Sequence, residues 1–140
     1  MSLYLDTSVL VALFTHDALT RRSDNFLRAN AFVLIVSDFA AAEFASVIAR
    51  HVRTKDIMPR DARVVFSIFD AWTARATQRV QIGASDVSAA EAFLRRLDLS
   101  LRTPDAINIA VAQRVGATLL TFDDKMIKSA RALGTPVRRP

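Results

Sequence analysis

The chain has 140 residues, 51% of them apolar, which is enough for a single domain over residues 1–140 with a sizeable core. It has no cysteine and two histidines, which excludes a disulfide framework, a thiolate nucleophile and a Cys/His zinc site; any bound metal must take oxygen ligands, so we expect Mg²⁺ or Mn²⁺. The formal net charge is +5, from 19 basic residues, mostly arginine, and 14 acidic ones; this suits a polyanionic partner such as nucleic acid, although genomic base composition and solubility explain an arginine excess equally well.

The first half of the chain is predicted to alternate between strands and helices. Its second strand is a continuous apolar run rich in β-branched residues, which is typical of a buried parallel strand. Ser37 or Asp38 then serves as the N-cap of a long helix. In order, the predicted elements are a strand at 2–5, helices at 8–14 and 21–30, a strand at 32–36, and a helix from residue 37 or 38 to about residue 51.

The second half continues the same alternation. Pro59 and Pro104 occupy first-turn positions, where the missing N–H of proline costs nothing, and Thr103 is the predicted cap before Pro104. The alternation predicts an α/β sandwich around a parallel sheet. The predicted elements are a helix at 59–76, a strand at 80–82, helices starting within 85–88 and running to about 97 and at 103–116, a strand at 117–122, a helix capped by Asp123 or Asp124, and a last strand at Val137.

Four acidic residues stand alone within the most apolar stretches. Asp6 follows the apolar run Leu3-Tyr4-Leu5, and the other three are Glu43 within FAAAEFASVIA, Asp105 in PDAINIAVA and Asp123 after TLLTF. An ionised carboxylate is costly to bury without a partner. Two such charges about 4 Å apart repel by roughly 4 kcal/mol at an effective dielectric near 20. If the fold brings the four together, a divalent cation is the simplest way to offset that repulsion.

The predicted elements allow these acids to meet. Ligands of an open parallel sheet bind beyond the carboxyl ends of its strands. Asp6 and Asp123 follow strands directly, Asp105 lies in the first turn of a helix, and Glu43 lies one to two turns into a helix that begins at a strand end. All four can therefore face one site.

Each acid also has a simpler explanation. Asp6 and Asp123 could be helix caps, and Asp105 could be only a favourable charge near a helix dipole. Glu43 is hardest to dismiss, because it has no obvious adjacent partner and Arg50 is the best local one. Capping better explains the remaining acids at probable helix ends, namely Asp38, Asp86 and Asp98.

The aromatic and histidine side chains point to no separate catalytic set. His16 and His51 are expected at the surface or at helix ends, and no Ser/His/Asp set is persuasive. The aromatic residues are expected mostly in the core, with an apolar groove for a partner as the alternative. They are Phe14, Phe26, Phe39, Phe44, Phe66, Phe69 and Trp72.

The order and spacing of the acidic segments resemble the PIN-domain ribonucleases, and within them the VapC-type toxins of bacterial toxin–antitoxin pairs. The resemblance covers essentially the whole chain and rests on LYLDTSVLVALF, the isolated Glu43, LRTPDAINIAVA and ATLLTFDDKM. It implies a three-layer α/β/α sandwich with a central parallel sheet and an acidic pocket that binds Mg²⁺ or Mn²⁺. It also implies an RNA substrate, a cognate antitoxin and a homodimer.

The resemblance carries site roles to particular positions. The pocket acids and metal ligands would be Asp6, Glu43, Asp105 and Asp123, and Asn108 stands where relatives often have histidine. The expected chemistry is metal-assisted hydrolysis of RNA phosphodiester bonds, by a toxin that inhibits translation and growth. Supporting roles would fall to the hydroxyls of Thr7, Ser8 or Thr121, to Asp124 through a water-mediated contact, and to Arg102, which could contact substrate phosphate or form a salt bridge with Asp105.

Two other classes of function remain open at this point. One is a non-catalytic nucleic-acid or protein-binding module of the same fold, against which the four intact acids speak. The other is a phospho-acceptor domain, against which the single acid after the first strand speaks. No apolar run approaches the roughly 18 residues of a spanning helix, and Asp6 interrupts the apolar N-terminus, so we expect no membrane association, no secretory signal and a cytoplasmic location.

Overall fold

A sheet of five parallel strands forms the centre of the computed structural model, which describes residues 1–29 and 31–140. The strands lie in the order β3-β2-β1-β4-β5, and every neighbouring pair is parallel. The chain runs outward from β1 through β2 to β3 and then returns to the other side of β1, so the strand order reverses between β1 and β4. The strands are β1 Ser2–Leu5, β2 Val33–Ser37, β3 Thr77–Val80, β4 Thr118–Leu120 and β5 Val137–Arg138.

Helices cover both faces of this sheet. Because side chains alternate along a strand, Leu3 and Leu5 pack on one face while Tyr4 packs on the other. Residues of the first four helices pack with Leu3 and Leu5 on one face, and residues of the last three helices pack with Tyr4 on the other. The predicted three-layer α/β/α sandwich is therefore confirmed. The helices are α1 Thr7–Phe14, α2 Thr20–Arg28, α3 Asp38–Arg53, α4 Pro59–Ala76, α5 Ala84–Arg95, α6 Thr103–Arg114 and α7 Asp124–Ala132.

Aromatic side chains concentrate in the layer formed by α1 to α4. Phe44 and Phe69 are almost fully buried and stack with ring centroids 4.4 Å apart. Phe14 meets both rings and Trp72 in edge-on contacts. The expectation that the aromatic set belongs mostly to the core is confirmed, and Phe14 additionally faces an open groove.

The predicted boundaries fail at three places. The strand predicted at 80–82 is β3, three residues earlier; it is an edge strand with the polar sequence TQRV, so it has no apolar run to mark it. Thr103 is the first helical residue rather than the cap, since Arg102 takes the N-cap position. The strand predicted at 117–122 is only three residues long. The predicted end of the second helix, Asn30, lies outside the described residues.

Within residues 1–29 and 31–140, no helix is both long and apolar enough to cross a bilayer.

Candidate active site

The strands β1 and β4 end side by side, and their continuations form the floor of the site. Leu5 pairs with Leu120 in register, and the Asp6 N–H donates to the Leu120 carbonyl at 3.1 Å. This places Asp6 beside Thr121, whose hydroxyl donates to Asp6 Oδ2 at 2.7 Å. The site therefore lies where the strand order reverses, as expected for an open parallel sheet.

Asp6 is buried among neutral donors. Its side chain is 7% exposed, and the Ser8 hydroxyl donates to the same Oδ2 atom at 2.9 Å. The Ser8 N–H also reaches Oδ2, at 3.4 Å, so Asp6 is the N-cap of α1. Burial raises the pKa of Asp6, and the hydrogen bonds from Thr121 and Ser8 offset only part of that rise.

Two hydroxyl groups also join the ends of β1 and β4. The Ser8 and Thr121 hydroxyl oxygens lie 3.3 Å apart. Ser8 Oγ accepts the Phe122 N–H at 3.1 Å, and Thr121 Oγ1 accepts the Asp123 N–H at 3.1 Å. Asp6 and the segment leading to Asp123 are thus held together by side chains that carry no charge.

Glu43 lies in the second turn of α3 and receives two hydrogen bonds on one oxygen. Thr7 Oγ1 donates to Glu43 Oε1 at 3.0 Å, and Asn108 Nδ2 donates to the same atom at 2.7 Å. Burial raises the pKa of Glu43, and the negative charges of Asp6 and Asp105 raise it further. The charges of two other predicted acids therefore affect Glu43. Arg50, its predicted local partner, lines a different cavity.

Asp105 and Asp123 line one open cavity of about 540 Å³. Asp105 Oδ2 accepts the Arg102 N–H at 3.3 Å and lies 3.6 Å from Arg102 Nε, so the salt-bridge alternative for Arg102 is realised. Asp123 Oδ1 accepts the Met126 N–H at 3.0 Å, so Asp123 is the N-cap of α7. Lys125 also lines this cavity and brings positive charge to its rim.

The structure links the predicted acids in two ways. The negative charges of Asp6 and Asp105 act on Glu43, and Asp105 and Asp123 line one cavity. In the described ranges 1–29 and 31–140, no three His, Cys, Asp or Glu side chains are arranged to hold a metal ion together. The donor chemistry nevertheless fits a hard cation, since the acids and adjacent hydroxyls offer only oxygen. The ligand roles stay predictions.

The remaining acids have partners outside this group. Of the three predicted caps, only Asp86 accepts an N–H at the start of its own helix, from Gly83 at 2.9 Å. The capping prediction is wrong for the other two. Asp38 accepts the N–H of Ile82, which follows the edge strand β3, and Asp98 pairs with Arg96. Asp124 is exposed and pairs with Arg139, and it also lines the cavity that holds Asp105 and Asp123.

Tyr4 is a contributor to the site that sequence reasoning missed. It is fully buried, and its hydroxyl donates to Asn108 Oδ1 at 2.5 Å and lies 2.6 Å from Ser37 Oγ. Burial raises the pKa of Tyr4 far above its ordinary value, so the hydroxyl stays protonated. A lone tyrosine within an aliphatic strand was the available signal, since a buried hydroxyl needs a partner.

A second, more apolar cavity opens between α1, α3 and α4 and measures about 1090 Å³. Val64 and Ile68 are exposed on its α4 wall, at 57% and 55%. His16 and His51 line it, which agrees with their expected surface or helix-end positions. This apolar groove is separate from the cavity that holds Asp105 and Asp123.

The chain matches a family model and a similar protein over nearly its whole length. The PIN domain model matches residues 3–132. Ribonuclease VapC46 of Mycobacterium tuberculosis is 29% identical over 150 residues, which cover 99% of this chain and 98% of the relative.

Solved structures share the fold at lower identity. The M. tuberculosis toxin VapC20, described as cleaving the sarcin–ricin loop, superposes with a TM-score of 0.76 at 22% identity, covering 99% of this chain and 100% of that one. VapBC2 of Rickettsia felis, solved with a promoter DNA fragment, gives a TM-score of 0.73 at 17% identity, covering 100% and 99% of the two chains. At these identities the likeness establishes the fold.

Proposed function

Because this chain belongs to the PIN-domain family, we propose that it is a metal-dependent endoribonuclease that hydrolyses RNA phosphodiester bonds, with Mg²⁺ as its ion and Mn²⁺ as a substitute. The observation that carries the proposal is the pair Asp6, which is buried, and Glu43, which is half-buried; both receive hydrogen bonds from neutral donors at the point where strand order reverses. Burial raises the pKa of both carboxyl groups, and the hydroxyl, amide and backbone N–H groups that donate to them carry no positive charge. The name of the similar VapC46, a ribonuclease, supports this reaction.

The acids Asp6, Glu43 and Asp105 would hold the ion, with Asp123 completing the site from the cavity wall. Bound there, the ion supplies activation of a water for in-line attack and stabilisation of charge on the scissile phosphate. The chain itself orients the ligands, since Ser8 and Thr121 fix one carboxylate and Thr7 fixes another. A covalent nucleophile is not required.

Arg102 and Lys125 would bind the RNA backbone at the rim of the cavity. Both line it together with Asp105, and Arg102 is 82% exposed at its side chain. The exposed Arg102 guanidinium lies 3.6 Å from the Asp105 carboxylate, which is a weak ion pair, so it can still donate to phosphate oxygens. Positive side chains around an acidic centre would draw a polyanion toward the site despite the local negative charge.

We further propose that the protein is a single-domain cytoplasmic toxin, active as a homodimer, that inhibits translation and growth until a cognate antitoxin binds it. The similarity to VapC46 and to the toxin VapC20 supports this role. The apolar groove, with Val64 and Ile68 exposed on its wall, suits an apolar segment of such an antitoxin.

Cleavage of RNA by the purified protein, with Mg²⁺ and with EDTA, tests the reaction. We expect cleavage that EDTA abolishes, and a loss of roughly 100-fold or more in rate for Asp6→Asn and for Glu43→Gln, because each substitution removes a charge that holds the ion. Asp70→Asn, which changes an exposed acid on α4, is the matched control and should cleave at the wild-type rate.

Two outcomes would contradict the assignment. Wild-type rates from Asp6→Asn and Glu43→Gln would show that neither acid takes part in the reaction. A folded wild-type protein that binds RNA without cleaving it in Mg²⁺ or Mn²⁺ would instead support the non-catalytic binding module.

A further inference from the structure

Three buried polar side chains lead from the centre of the sheet to Glu43. Tyr4 and Ser37 are fully buried and Asn108 is 1% exposed, although all three lie in otherwise apolar surroundings. Asn108 Nδ2 donates to Glu43 Oε1 at 2.7 Å and to the Pro104 carbonyl at 3.0 Å. Its Oδ1 atom accepts the Tyr4 hydroxyl at 2.5 Å.

The direction of each hydrogen bond in this series is fixed. A carboxylate and a backbone carbonyl only accept, so the Asn108 amide nitrogen must face Glu43 and Pro104, and its oxygen must face Tyr4. Tyr4 has one proton and gives it to Asn108. The 2.6 Å contact with Ser37 Oγ is therefore donated by Ser37. Ser37 Oγ in turn accepts the Ala40 N–H at 2.9 Å, which anchors the series in the first turn of α3.

The described hydrogen bonds to the Glu43 carboxylate occupy only one of its two oxygens. Asn108 and Thr7 both donate to Oε1, so within the described part of the chain the hydrogen bonds to this carboxylate end on a single atom. The other oxygen, Oε2, is left for a ligand. An amide donor also fixes the carboxylate without neutralising it, whereas a lysine or arginine at position 108 would cancel the charge that attracts a cation.

We propose that Tyr4 and Asn108 are positioning residues that orient Glu43 so that its Oε2 atom can bind a divalent cation. The proposal rests on the proposed metal-dependent function. A glutamate has several rotatable bonds, and ordering them before the ion arrives removes that entropic cost from binding. Asn108 also lies one turn after Asp105, so the same contacts fix the face of α6 that carries Asp105 relative to α3.

Binding of Mn²⁺ alone to the metal-free, full-length protein, measured by titration calorimetry, tests the proposal independently of cleavage. We expect Asn108→Leu to weaken the Mn²⁺ affinity by roughly 10-fold or more, the size of effect typical for residues that hold a metal ligand in place. Tyr4→Phe keeps the ring and removes only the hydroxyl, so it should weaken the affinity in the same direction. Its effect should vanish in the Asn108→Leu background, because Tyr4 acts through Asn108.

A matched control separates positioning from stability. Thr73 is 3% exposed and donates to the Asp70 carbonyl at 3.1 Å, away from the acids. Thr73→Val and Tyr4→Phe should both lower stability toward urea, because each removes a buried hydroxyl that is hydrogen-bonded, but Thr73→Val should leave the Mn²⁺ affinity unchanged. If Asn108→Leu fails to fold, Tyr4→Phe against Thr73→Val still decides the question.

The outcomes separate this proposal from the function beneath it. Wild-type Mn²⁺ affinity in both Asn108→Leu and Tyr4→Phe, with the wild type binding Mn²⁺ and cleaving RNA, would overturn the positioning role alone. Additive effects in the double variant would show that Tyr4 does not act through Asn108. A wild-type protein that neither binds Mn²⁺ nor cleaves RNA would overturn both.

Discussion

Two buried aspartates at different places in the molecule are compensated in opposite ways. Asp86 in α5 is 1% exposed and receives two hydrogen bonds from the Arg114 guanidinium, at 2.8 and 3.0 Å. Burial alone would raise the pKa of Asp86, but the hydrogen bonds from Arg114 and the Gly83 N–H and the charge of Arg114 together outweigh it and lower that pKa. Asp6 is 7% exposed, has hydroxyl partners, and its pKa is raised.

The difference distinguishes a structural acid from one that can bind a cation. The charge of Asp86 is offset within the fold, and the same Arg114 also donates to the Gln81 carbonyl, which ties α6 to the end of β3. The charge of Asp6 is offset only in part, so a cation bound beside it would supply the favourable charge interaction that the fold itself does not. Burial alone therefore does not mark a candidate metal ligand, whereas burial with only neutral donors is the pattern that we propose for one.

The largest stability effect should come from breaking the compensated pair. Arg114→Ala leaves the buried Asp86 carboxylate without its counter-charge and should lower the free energy of unfolding by about 2 kcal/mol. We place it below the usual cost of breaking a buried pair because the Arg114 side chain is 41% exposed. Urea unfolding at neutral pH measures it.

The control for this prediction removes both charges together. Arg114→Met with Asp86→Asn should recover part of the lost stability, because no uncompensated charge remains. RNA cleavage by this double variant should match the wild type. Equal stability of Arg114→Ala and the wild type would break the comparison, since Asp86 would then need no counter-charge.

The pH dependence of stability should have opposite signs at the two aspartates. The folded-state pKa of Asp6 is raised, so its contribution is full below the unfolded pKa and is lost as pH rises through the folded pKa. Without metal, Asp6→Asn should therefore gain stability relative to the wild type as pH rises above the unfolded pKa of aspartate, about 4.

Asp86 gives the opposite case. Its folded-state pKa is lowered, so its contribution is present above the unfolded pKa and is lost as pH falls through the folded pKa. Asp86→Asn should therefore lose stability relative to the wild type as pH rises toward the unfolded pKa of aspartate, about 4, a window that lies below that of Asp6. Urea unfolding in EDTA at several pH values measures both slopes, and slopes of the same sign would refute the distinction.

Local sequence patterns were sufficient for the sheet and for the position of the acids. Short apolar runs marked β1, β2 and β4, and the acids stood out because each was isolated among apolar residues. The predicted position of β3 was three residues too late, because this edge strand pairs on one side only and its sequence is polar. Membership of the PIN-domain family is confirmed by the match over residues 3–132.

The partners of the acids could not be predicted in the same way, because they come from distant parts of the chain. Glu43 and Asn108 are 65 residues apart, and Asp86 and Arg114 are 28 apart on two helices that pack together. Periodicity and capping rules describe contacts within one element, so they proposed Arg50 for Glu43 and capping alone for Asp86. Only the tertiary packing separates the two kinds of buried acid.

The smallest effect concerns Asp123, which has a capping role and a predicted ligand role. Asparagine caps helices about as well as aspartate, so Asp123→Asn should keep the hydrogen bond from the Met126 N–H and leave stability nearly unchanged. Asp123→Ala should cost about 1 kcal/mol in urea unfolding, because the cap is lost. If Asp123 binds the cation, both variants lose Mn²⁺ affinity to the same extent despite their different stabilities. Wild-type Mn²⁺ affinity in Asp123→Asn would show that Asp123, like Asp86, has only a structural role and does not bind the cation.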